Sequence, residues 1–183
     1  IDSSVLSSLN VTGGATAALE SGAITIAQTA SDTSTVATTL GITGSGFIGA
    51  IDGGQADVYT TVNISAPSAF TIADVNLAAA TSVNASGAGV TTISALSDVG
   101  AVTSFTSTGG GLVLGAAIGN AVAFTGGSGA DGVVVGATTK AIALGAGDDT
   151  ATVTAVLGAG GSVAGGDGSD TLVINVAAAT FSD

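Results

Sequence analysis

Two nonapeptides, GGSGADGVV at residues 126–134 and GGDGSDTLV at residues 165–173, share the pattern G-G-x-G-x-D-x-U-x with U apolar. A unit of this kind leaves a chain few ways to fold: its glycines permit positive φ and a tight turn, and the residues after the Asp form a short strand. The nine-residue frame persists between the copies as 126–134, 135–143 and 144–152. After a three-residue insertion at 153–155 it resumes as 156–164 and 165–173. Its eighth positions are Val133, Ile142, Ala151, Val163 and Leu172, a column predicted to face inward. One coil takes two nonapeptides, so alternate turns stack on the same edge. Asp131, Asp149 and Asp170 are therefore predicted to lie in one row, while the opposite edge, carrying VGATTK and VLGAGG, has no carboxylate.

Carboxylates beside glycine-rich turns form a set of hard oxygen donors, which suits Ca²⁺. One ion is expected between Asp131 and Asp149 and a second between Asp149 and Asp170. Backbone carbonyls of the turns built on Gly127, Gly129, Gly145, Gly147, Gly166 and Gly168 would complete both. Asp148 and Asp167 sit in the same turns and add either ligands or only charge. A lone Gly-Asp cluster is ordinary turn chemistry. Two full copies with an in-register GAGDD between them favour calcium.

Residues 1–125 repeat in a looser form, [ST]-h-x-h-[ST]-G with h mostly apolar, starting at Ser8, Thr39, Thr61, Ser82, Ser104 and Ala121. The first apolar positions are 9, 40, 62, 83, 105 and 122, and the steps of 22, 21 and 22 suit one coil of a parallel β-helix. Alternation turns Leu40 and Ile42, or Val62 and Ile64, inward, while Thr and Asn face outward or bond along the stack. The longer steps imply inserted loops at residues 29–35 and 49–57. Pro67 follows a strand copy, where a corner accepts it. A helix is a poor fit to so much Val, Thr, Ser and Gly, and a β-sandwich would not require one hexapeptide at near-constant spacing. The expected architecture is all-β: a degenerate right-handed parallel β-solenoid over residues 1–125, a calcium β-roll over 126–173, and the start of a further segment over 174–183.

The net charge of −12 arises from thirteen acidic residues against the single cation Lys140. Nucleic-acid binding and docking on an anionic membrane both need cations and are excluded. No apolar run is long enough for membrane insertion as a helix. With no Cys there is no disulfide or zinc framework. Aromatics make up only 3% of the chain against 46% hydrophobic residues, a balance that fills a thin coil rather than a thick core. The absence of Met and of a signal-like opening at residues 1–5 reads as a fragment of a longer protein.

The segment FTGGSGADGVVVGATTKAIALGAGDDTATV, with LGAGGSVAGGDGSDTLVINV after it, resembles the central region of the calcium-dependent surface-layer proteins of the RTX (repeats-in-toxin) class, that of Caulobacter in particular. The likeness is strongest over residues 122–181. It implies a protein exported by type I secretion that self-assembles with calcium into a two-dimensional lattice on the bacterial cell surface. Lattice neighbours are then copies of the same chain, and lipopolysaccharide is bound through parts of the parent protein outside these residues. The family motif falls on Asp131, Asp149 and Asp170 with their turn glycines. Leu144 replaces the first glycine of the middle turn, a departure that bears on its carbonyl geometry.

The expected function is therefore structural, not enzymatic. The alternative is a calcium-dependent folding module of an RTX exoprotein such as a protease, lipase or adhesin. A β-helical lyase would need a base beside its calcium, and the chain offers Lys140 on the wrong edge and no His or Cys. Asp52, Asp57, Asp74 and Asp98 show no common spacing and read as loop residues, with Asp52 and Asp57 the best candidates for an accessory ion. An ice-binding face would need regular T-x-T ladders, of which residues 106–108 supply a single triplet.

Overall fold

The computed structural model describes residues 6–12, 24–26, 37–53 and 57–176. These form fifteen strands: β1 (Ser8–Thr12), β2 (Ile24–Thr25), β3 (Thr39–Asp52), β4 (Thr61–Ser65), β5 (Phe70–Asn76), β6 (Ser82–Ser86), β7 (Thr91–Asp98), β8 (Ser104–Ser107), β9 (Leu112–Ile118), β10 (Ala123–Thr125), β11 (Gly132–Val135), β12 (Ala141–Ala146), β13 (Thr150–Val153), β14 (Ser162–Asp167) and β15 (Thr171–Ile174). Every strand pairing is parallel. There is no helix among the described residues. The chain is a right-handed parallel β-helix that continues as a β-roll.

Each coil gives one strand to each of two sheets. The even-numbered strands from β4 to β14 stack into a first sheet, and the odd-numbered strands from β5 to β15 into a second. Strand β3 serves both: residues 39–45 pair with β1 and β4, and residues 46–52 with β2 and β5. It turns the corner at Gly46, whose φ is +76°. A side chain at neighbouring Gly44 would collide with the Phe70 ring, so this corner is built around a missing Cβ.

Alternation along each strand produces the core. Leu40 and Ile42, Val62 and Ile64, and Val83 and Ala85 are buried, while Thr39, Asn63 and Ser86 between or beside them face out. In the first sheet, Leu40, Val62, Val83, Phe105, Phe124, Ile142 and Val163 stack in one register. In the second, Ile72, Ile93 and Leu114 do the same. Parallel stacking places like residues over like, so the polar rungs satisfy one another. Thr60, Thr81 and Thr103 each donate their hydroxyl to the carbonyl of the threonine one coil earlier, at 3.3, 2.9 and 3.1 Å. Asn84 Nδ2 donates to Asn63 Oδ1 at 2.9 Å.

Three details differ from the sequence expectation. Leu9 lies opposite Ile42, not Leu40, so that step is 33 residues. Phe124, not Val122, stacks on Phe105, giving a step of 19 in place of 17. Residues 49–52 belong to β3 and do not start a loop, because the strand goes on pairing with β5 past the corner and Ile51, opposite Val75, is buried like Ile48 before it. The loop expected at residues 29–35 lies outside the described residues, as does 177–183 of the terminal segment.

The coils also shorten along the axis. Phe124 to Ile142 spans 18 residues, two nonapeptides, and Ile142 to Val163 spans 21 because the insertion at 153–155, which begins with the last residue of β13, falls in that coil. Of the nonapeptide column, Val133, Ile142 and Ala151 are buried and Val163 is half-buried. Leu172 is 56% exposed, because β15 ends the described stack.

Candidate metal centre

The two sheets meet at two edges, and the Asp-bearing turns all fall on one of them. Residues 126–131 join β10 to β11, 147–149 join β12 to β13, and 168–170 join β14 to β15. Lys140 lies on the opposite edge, immediately before β12, and is exposed. The structure therefore brings Asp131, Asp149 and Asp170 into one row, each directly before a strand of the second sheet.

Glycine fixes the shape of this edge. Gly127, Gly145 and Gly166 stack in one column, and Gly129, Gly147 and Gly168 in another. A Cβ at Gly166 would collide with the carbonyl oxygen of Gly145, and one at Gly168 with that of Gly147. Each carbonyl therefore points at the glycine of the next coil, an approach only a residue without a side chain allows. The middle and last turns share one backbone form: φ is +102° and +130° at Gly145 and Gly147, and +108° and +131° at Gly166 and Gly168. Leu144 leaves this form intact. It is the first turn that departs from it, since Gly127 and Gly129 have no positive φ despite matching the full nonapeptide.

The carboxylates form a ladder. Asp131 Oδ1 accepts the Leu112 amide at 2.6 Å, Asp149 Oδ1 accepts the Asp131 amide at 2.7 Å, and Asp170 Oδ1 accepts the Asp149 amide at 3.2 Å. Each Asp thus ties its own coil to the one before. The sequence reading missed this second role, although an Asp placed immediately before each strand of one sheet was the available signal. The other oxygens differ in occupation. Asp131 Oδ2 accepts the Gly127 amide at 3.1 Å, whereas Asp149 Oδ2 is buried with no partner. Asp149 itself is 1% exposed. Burial pushes its carboxyl above the ordinary value of 3.8; the Asp131 amide pulls it down, and the charges of Asp131, Asp170 and Asp148 push it up again.

The remaining candidates are peripheral. Asp148 is exposed and accepts the Ser169 amide through Oδ1 at 3.0 Å. Asp167 ends β14 and is exposed, its backbone carbonyl accepting the Gly147 amide at 2.8 Å. Asp57, expected with Asp52 at an accessory ion, uses both oxygens structurally: Oδ1 accepts the Tyr59 amide and Oδ2 the Ala79 amide, each at 3.0 Å. Asp52 lies opposite Asn76 at the end of β3. Asp74 Oδ1 accepts the Ser97 amide at 3.0 Å.

An orphaned, buried carboxylate oxygen is costly unless a cation or donor meets it, and Asp149 Oδ2 fits a hard cation on that ground. No group of three or more Asp, Glu, His or Cys side chains with metal-binding spacing occurs among the described residues. An ion at Asp149 would therefore draw most of its oxygens from backbone carbonyls of the glycine columns, a donor set that suits Ca²⁺ better than Zn²⁺.

No protein-family model and no curated protein matches the sequence. No helix among the described residues is long and apolar enough to cross a membrane. The fold alone defines the class, a parallel β-solenoid with an acidic, glycine-lined edge.

Proposed function

We propose that this chain is a calcium-stabilised structural segment of a secreted bacterial surface layer, held extracellularly and exported by type I secretion, which assembles with copies of itself into a two-dimensional lattice. The observation that carries the calcium part is the buried, unpartnered Oδ2 of Asp149 within the row Asp131, Asp149 and Asp170. Calcium supplies positive charge where three coils stack carboxylates, and the glycine columns supply close-packed carbonyls around it. The chain does the rest. Asp131, Asp149 and Asp170 tie coil to coil through amides, and their turns hold the second sheet in register with the first.

The structural, non-catalytic part rests on inventory. The chain has no His or Cys and a single cation, Lys140, on the edge away from the carboxylates. A lattice component needs rigidity, repeated surfaces and a trigger for ordering, and an acidic solenoid bridged by cations supports all three.

The test is light scattering coupled to size-exclusion chromatography of the chain in millimolar calcium and then in chelator. Reversible growth into larger species with calcium is the expected outcome. A chain of unchanged size and compactness in both would contradict the proposal.

A further inference from the structure

Nine acidic residues fall in the described part of the chain, and their distribution is uneven. Asp131, Asp148, Asp149, Asp167 and Asp170 line the glycine edge, while Asp52, Asp74 and Asp98 belong to strands of the second sheet and Asp57 to the opposite edge. From β1 through β12, no strand of the first sheet carries a charge. Its outward positions are short and uncharged: polar at Thr61, Asn63, Ser82, Asn84, Thr106 and Thr125, and alanine at Ala123, Ala141 and Ala143. In a chain of net charge −12, another acidic body meets no like charge on these described strands.

We propose that the outer face of the first sheet is a self-association surface, whose occupant is the same face of a second copy. Three observations select that partner. The first is charge: two copies at −12 each repel through the glycine edge and the second sheet, and this face is exempt. The second is chemistry. Hydroxyls and carboxamides both donate and accept, so a face built mostly from Ser, Thr and Asn, with alanines at its β12 end, is complementary to itself under a two-fold axis. The third is size. The seven strands β1, β3, β4, β6, β8, β10 and β12 at about 4.8 Å spacing, each about five residues long, give a footprint of roughly 500 Å² per copy. Two such faces bury on the order of 1,000 Å², the lower bound for a specific contact. The contact is thus weak and concentration-dependent, and short side chains let the sheets approach closely.

This inference rests on the self-assembly reading, but not on the calcium row, since none of the Asp131, Asp149 and Asp170 turns contributes to the face. The experiment is sedimentation equilibrium of the full chain at fixed calcium and salt, over a wide range of loading concentrations. Two variants of equal charge are compared with the parent. One carries Thr43→Glu and Thr106→Glu on the first sheet. The other carries Thr71→Glu and Thr152→Glu on the outward side of the second. The parent is expected to pass from monomer to dimer as loading rises, the first variant to weaken association more than about tenfold, and the second to match the parent. A parent that stays monomeric at every loading, or two variants that respond alike, would overturn the proposal. Calcium uptake, measured separately by calorimetry, tells failure of this face from failure of the ion site.

Discussion

At the scale of the residue, Asp149 joins two demands that pull against each other. Its Oδ1 completes the ladder by accepting the Asp131 amide, while its Oδ2 is buried without a partner and surrounded by like charge. The folded chain therefore holds a proton on Asp149 more tightly than the unfolded chain does. In chelator its penalty is fully present above the raised folded value. It is relieved as pH falls through that value, and is gone below the ordinary 3.8. If calcium binds Asp149 as proposed, the direction reverses, because protons then compete for the same oxygen. Asp149→Asn removes the buried charge and keeps an oxygen for the Asp131 amide. Thermal melts in chelator at neutral pH are expected to show the variant more stable by about 3 °C, with a flatter dependence on acid; a lower melting temperature would contradict this. Gly166 makes the opposite point. At φ +108°, with the Gly145 carbonyl where a Cβ would go, Gly166→Ala is expected to cost on the order of 2–4 kcal/mol in urea unfolding with calcium present. A cost under about 0.5 kcal/mol would mean that the glycine columns are not close-packed.

At the scale of the element, the strands were legible because inward and outward residues alternate, and their pairing was legible only in part. Leu40, Val62, Val83 and Phe105 were in register from spacing alone. Val122 and Phe124 were not separable, since a slip of two residues keeps the same face inward and leaves the hydrophobic pattern unchanged. Only the partner strand decides, and it seats Phe124 on Phe105. The same two-residue ambiguity moved Leu9 from Leu40 to Ile42. The row of Asp131, Asp149 and Asp170 was legible because nine-residue counting leaves no such freedom. Hidden from the sequence were the amides that these carboxylates accept, because they depend on the neighbouring coil, and the distinct backbone of the first turn, because its glycines match the pattern fully. Phe124, 1% exposed, stands where 22-residue coils give way to 18-residue ones. Phe124→Ala is expected to destabilise the chain by about 3–5 kcal/mol, measured by denaturant unfolding, whereas Val122→Ala at the corner costs clearly less. Equal costs would contradict the register.

At the scale of the whole molecule, one cross-section runs from β3 to β15 while its edge changes character. On the edge that carries the Asp row, the early coils are bound by uncharged bonds, such as those Ser86 Oγ donates to the Ile64 carbonyl and Thr108 Oγ1 to the Ala85 carbonyl, and the late coils by stacked carboxylates. In the proposed account, a cation on this edge offsets the charge that a chain of net charge −12 concentrates by stacking three Asp residues there. The most direct measurement is calorimetric titration of calcium into the chelator-stripped chain and into Asp149→Asn. Saturable uptake by the parent, lost or weakened at least about tenfold in the variant, is the predicted result. No uptake by the parent, or equal uptake by both, would contradict the account.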